Sequence, residues 1–173
     1  MTHLSNALRA ATATVLMGGF AIAGAANAVA DPNTTGSSAD INTLAGSLSK
    51  GYGLNNCQSS PLTGSIVAEL DCGQSPDPNG PAAGVYELFK NTTDLASAFS
   101  DNLGGVTQVA CGDSGKSPTT WSQGGQTAGQ VACGTYKNAA VITWTTDSKN
   151  VLSHIRASNT DVNALYQWWR TNG

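Results

Sequence analysis

Charge is scarce in this chain: Asp, Glu, Lys and Arg make up 11% of its 173 residues, against about a quarter of an ordinary soluble protein. Basic residues are few, eight in all, and nowhere clustered. Nucleic acids and anionic lipid surfaces are gripped by clustered Lys and Arg, so the sequence predicts neither as a partner. Histidine occurs only at His3 and His154, and glutamate only at Glu69 and Glu87. No C-x-x-C pair is present and His154 stands far from the cysteines, which argues against a Cys/His zinc site; no metal or cofactor is expected. Beyond residue 30 no apolar run approaches the ~20 residues of a membrane span.

What is present begins with an export pattern. Arg9 precedes an apolar stretch from Ala10 to Ala25, and Ala28 and Ala30 frame an A-x-A cleavage site. Residues 1–30 are therefore read as a signal peptide. Gly18, Gly19 and Gly24 interrupt the run, no basic stop-transfer cluster follows, and no cysteine is placed for a lipid anchor. Removing Arg9 with the signal leaves seven basic against eleven acidic residues, a net charge of −4. Residues 31–37 (DPNTTGS) read as a flexible polar leader, and residues 38–173 as one secreted domain, within the usual domain size. Asn33-Thr34-Thr35 and Asn91-Thr92-Thr93 match the N-glycosylation acceptor pattern, but the second is better explained as a helix cap.

Four cysteines, Cys57, Cys72, Cys111 and Cys133, follow the signal, and an even number in an oxidising compartment implies disulfides. Three connectivities are open. A faint repeat separates them: Val67–Gly73, Val85–Phe89 and Thr92–Asp94 resemble Gly129–Gly134, Val141–Trp144 and Thr145–Asp147. Read as an internal duplication with one staple per half, the repeat selects Cys57–Cys72 and Cys111–Cys133.

Periodicity predicts three helices. Ser38 or Asp40 caps the first, with Ile41, Leu44 and Leu48 on one face and Gly51 at its end. Thr92 or Thr93 caps the second, with Leu95, Ala98, Phe99 and Leu103 inward. Thr160 caps the third, where Val162, Leu165, Tyr166 and Trp169 follow i, i+3, i+4, i+7 spacing. Strands are expected near 65–72, 83–90, 105–111, 129–136, 139–146 and 150–157, with Lys137-Asn138 as a hairpin turn. The fold class is α+β, a mainly antiparallel sheet with three helices packed on one face.

Catalytic signals are weak. Cys111-Gly112-Asp113-Ser114-Gly115 looks like the nucleophile segment of chymotrypsin-like proteases. That chemistry needs a histidine base and an orienting carboxylate, yet His154 follows the serine and Lys116 replaces the family's second glycine. His154 reads as a structural residue, with an envelope-directed hydrolase as the alternative. Nothing in the spacing demands that Glu69 and Glu87 meet as a glycosidase pair. Aromatic and polar loop residues are the better candidates. Trp121 lies in a polar, glycine-rich loop, and Trp168 adjoins Trp169 on a helix where both cannot face inward. With Asp77 and Asn79 they form the candidate binding surface, built from loops 73–84 and 112–127.

One resemblance covers Cys57 to Trp169. Cys72-Gly73-x-Ser75-x-Asp77-Pro78-x-Gly80-Pro81 leads into Val85-Tyr86-x-Leu88-Phe89. Further on come Cys111-Gly112, a tryptophan before the second cysteine, Trp144-Thr145-Thr146-Asp147 and Leu165-Tyr166-x-Trp168-Trp169. Together they resemble a small domain of exported actinobacterial, especially mycobacterial, proteins. The same module resembles the extracytoplasmic portion of some of their membrane Ser/Thr protein kinases. No catalytic residue carries over, and no nucleotide loop or kinase catalytic motif is present. The resemblance implies a free-standing module that recognises a ligand or protein at the cell envelope. A structural protein self-associating through Trp168 is the remaining alternative.

Overall fold

The computed structural model of the chain describes residues 34–173. The expected signal peptide and the first residues of the expected leader lie outside them. Chain order is α1 (Ser38–Ala45), β1 (Cys57–Ser59), β2 (Ile66–Cys72), β3 (Ala83–Phe89), α2 (Thr92–Asn102), β4 (Thr107–Val109), β5 (Thr119–Gln123), β6 (Gln126–Tyr136), β7 (Ala139–Thr146), β8 (Val151–Arg156) and α3 (Val162–Asn172). The strands form one eight-stranded antiparallel sheet in the order β1-β2-β3-β8-β7-β6-β4, with β5 also paired to β6. The α+β expectation holds.

Local signals explain most boundaries. Lys137 and Asn138 both take positive φ, 46° and 58°, the geometry a two-residue hairpin turn requires. Each observed cap lies one residue from an expected one, Ser37 beside Ser38, Asn91 beside Thr92 and Asp161 beside Thr160. Ser37, Asn91 and Asp161 accept from the backbone N–H groups of Asp40, Asp94 and Ala164, so the side-chain oxygen that reaches back sets the boundary. The cap at Asn91 accounts for the second glycosylation-like triplet. Gly46, not Gly51, closes α1. Residues 34–37 depart from the flexible leader: Leu62 N–H donates to the Thr34 carbonyl, and Gly36 bridges Ala68 at the sheet edge.

Register sorts the sheet into two faces. On the first face, Cys133, Ile142, Ile155, Gly84, Cys72 and Cys57 are successive cross-strand partners. The next row runs Val131, Trp144, Ser153, Tyr86, Leu70. Leu44 of α1 and Leu165, Tyr166, Trp168 and Trp169 of α3 bury these rows in one continuous core. At about 1.5–3 kcal/mol per fully buried large apolar side chain, this is the dominant favourable term.

The second face carries Glu69, Glu87 and Leu152 in one row, and Asp71, Val85, His154, Thr143 and Ala132 in the next. Here α2 packs Leu95 and Phe99 on Phe89, Ala132 and Leu152. The expectation of three helices on one face is thus corrected to two on one face and one on the other. The reason is pleat alternation: Leu152 and Ala132 point away from the main core, and α2 is the element that covers them.

Both disulfides form as the repeat suggested, Cys57–Cys72 and Cys111–Cys133. Each ties a short outer strand or its flank to the next strand inward. The strand order is mirror-like about β8, but the two halves are not a structural duplication. A rotation exchanging them while keeping strand direction must swap the faces of the sheet, whereas Cys72 and Cys133 share one face. Two disulfides suit an oxidising or extracellular environment. Among the described residues no helix is long and apolar enough to cross a membrane.

Candidate functional site

The single surface expected from loops 73–84 and 112–127 is divided in two by α3. That helix carries two adjacent stripes of i, i+3, i+4, i+7 spacing. Val162, Leu165, Tyr166 and Trp169 form the stripe that packs against the first face of the sheet. Ala164, Gln167, Trp168 and Thr171 form the second, and it borders an open groove of about 530 Å³.

The opposite wall of this groove is the loop after β2. Ser75 anchors it: its N–H donates to the Pro81 carbonyl at 2.9 Å, and its hydroxyl accepts from Asp77 N–H at 3.2 Å. Asp77 then uses both carboxylate oxygens. Oδ1 accepts from Asn79 N–H at 2.9 Å and Oδ2 from Trp168 Nε1–H at 2.9 Å. One side chain therefore shapes the turn and latches it to α3. Gly80 completes the turn, for a Cβ there would lie 2.5 Å from the Ser75 side chain.

Trp168 is only 6% exposed. Both adjacent tryptophans are buried, contrary to expectation, because α3 is covered on two sides: the 75–81 loop closes over Trp168 while the sheet receives Trp169. Asn79 lines the groove directly, joined by Gln74, Asn159, Gln167 and Asn172. Carboxamides thus converge from the loop, the β8–α3 connection and α3, beside the Asp161 carboxylate and with no Lys, Arg or His in the lining. The second stripe on α3 was the signal that marks Gln167 and Thr171 in sequence. Gln74 and Asn159 have no local signature, because only the chain's return brings them to α3.

Trp121 belongs elsewhere. Its segment, expected to be a loop, is strand β5, and its Nε1–H donates to the Thr145 carbonyl at 2.7 Å. The ring meets Trp169 edge to face with centroids 5.6 Å apart. It ends an aromatic series running Tyr52, Tyr86, Trp144, Trp169. Tyr86, marked in sequence only as part of the Val85–Phe89 segment, is central to it. Fully buried, Tyr86 donates its hydroxyl to Ser49 Oγ at 2.9 Å, and burial pushes its pKa up to about 12.

His154 lies on the second face of the sheet, away from Trp121, and the two do not converge. Its Nδ1 is 2.8 Å from Thr143 Oγ1. Burial, with the nearby Arg156 charge, lowers its pKa to about 4. It is neutral near pH 7, and Thr143, its hydroxyl neighbour, is buried. Glu69 and Glu87 do meet, as direct cross-strand partners. Burial raises the Glu87 pKa to about 7, with the Glu69 and Asp71 charges adding to it. Among the described residues no three metal-ligating side chains gather in one place.

No protein-family model, curated protein or solved structure matches the chain.

Proposed function

We propose that the chain is an exported, non-catalytic binding module of the cell envelope, and that its ligand occupies the groove between the 75–81 loop and α3. The carrying observation is the Asp77 latch, which holds an amide-lined groove open in its formed shape. Preorganised polar groups lose little conformational entropy on binding. Carboxamides both donate and accept, so they suit a neutral ligand rich in hydroxyl and amide groups, such as an envelope saccharide or a short peptide. The lining holds no histidine or lysine to serve as a base near pH 7, which favours binding over hydrolysis as the reading. The signal pattern and two disulfides favour an extracytoplasmic address. The alternative based on self-association through Trp168 loses support, since that ring is buried and committed to Asp77.

The test is an NMR titration of the labelled protein with chitotetraose and, separately, with an alanine-rich tetrapeptide. Binding to the groove moves the side-chain amide signals of Asn79 and Gln167 together with the Trp168 indole signal. Asn79→Ala weakens that binding by about tenfold, roughly 1.4 kcal/mol, at unchanged stability. Asp77→Ala removes the latch and costs about 1–3 kcal/mol of stability through the unpaired indole. Cleavage of either probe, abolished by His154→Ala in a folded variant, would establish the hydrolase instead.

A further inference from the structure

The other flank of α3 faces a second groove of about 330 Å³, bordered by Ser114, Thr119, Trp121, Tyr166, Trp169 and Arg170. None of these residues lines the amide groove. The Trp169 indole Nε1–H is buried there without an acceptor among the described residues, whereas Trp121 and Trp168 both donate theirs. A buried polar group normally has a partner, and an exception calls for an explanation. The unpaired edge faces Gly173, where a Cβ would fall 2.5 Å from Nε1. Gly173 follows the last turn of α3, and its N–H donates to the Trp169 carbonyl at 2.7 Å. Arg170 borders the same groove, with its guanidinium carbon 5.9 Å from the Tyr166 ring centroid and no carboxylate partner among the described residues.

A cation with no ion pair and a buried donor with no acceptor among the described residues, an aromatic wall and a hydroxyl rim thus meet at one groove. We propose that this groove is a binding site for a carboxylate-bearing saccharide. The sugar ring lies against the Trp121 side, and its hydroxyls meet Ser114 and Thr119. Its carboxylate takes the Arg170 guanidinium, a geometry that favours paired hydrogen bonds. A small movement of Gly173 opens the Trp169 Nε1–H to the same carboxylate. This proposal extends the reading as a binding module but stands on separate residues, so either site can fail without the other.

The experiment is a titration of labelled protein with trigalacturonate, with uncharged galactotriose and trialanine as comparators. Trigalacturonate is expected to move the Trp169 indole signal downfield and shift the Trp121 indole, leaving the Asn79 and Gln167 side-chain amides in place. Arg170→Gln is expected to weaken binding about tenfold or more with the melting temperature unchanged. Gly173→Ala, which crowds Nε1, weakens it as well. Equal binding of galactotriose, or unaltered affinity in Arg170→Gln, would overturn the carboxylate assignment. Equal binding of trialanine at these signals would overturn the saccharide assignment. Shifts confined to the amide groove would remove this second site while leaving the first.

Discussion

Glu87 and His154 share the second face of the sheet, and their protons act on stability in opposite directions. Burial, with the Glu69 and Asp71 charges, raises Glu87 from the ordinary 4.5 to about 7. Across that window the folded chain holds the extra proton, so stability falls as pH rises. Burial and Arg156 lower His154 from 6.5 to about 4. There the unfolded chain holds the extra proton, and stability rises with pH. The two effects offset one another between pH 4.5 and 6.5. Glu87→Gln should leave the histidine effect uncovered, so its urea midpoint climbs relative to wild type over that range. His154→Gln should do the reverse and lose stability up to about pH 7. Each difference approaches at most about 1.4 kcal/mol per pH unit, the limit for one proton. Profiles parallel to wild type in both variants would refute these protonation states.

At the scale of elements, β5 and α3 decide what the aromatic residues do. Trp121 sits among Ser, Thr, Gln and Gly, so its sequence neighbourhood carries no apolar periodicity. Pairing with β6 supplies what the neighbourhood lacks, turning the ring over Trp169 and its nitrogen onto Thr145. Trp121→Ala should therefore lower stability by about 2–4 kcal/mol, from lost packing and an unpaired carbonyl. A loss below about 0.5 kcal/mol, the usual range for surface substitutions, would return Trp121 to the role of an exposed platform. The α3 stripes were readable because helical periodicity is local. What covers each stripe was not, since the 75–81 loop is about ninety residues upstream.

Over the whole molecule the two disulfides mark the lateral limits of one sheet row. Cys57–Cys72 pins β1 at one edge, and Cys111–Cys133 secures the flank of β4 at the other. Removing either bond, as Cys57→Ala with Cys72→Ala or as Cys111→Ala with Cys133→Ala, should cost about 3 kcal/mol by loop-closure entropy. Hydrogen exchange should report the loss asymmetrically. The first pair loosens β1 and β2, the second loosens β4 and the 112–118 loop, and β8 keeps its protection in both. Uniform loss across the sheet in either variant would contradict this division.

Local order determined much of this protein. The three helices, the Lys137-Asn138 turn and the disulfide pairing were legible, the last although the duplication that suggested it is absent from the fold. They depend on periodicity, capping and turn chemistry over a few residues, or on direct sequence comparison. Tertiary structure alone decided that α2 crosses to the second face, that Glu69 meets Glu87, and that loops 73–84 and 112–127 border two separate grooves. Those outcomes rest on strand register and on chain returns over tens of residues, where contacts between distant segments, not local propensity, set the free energy.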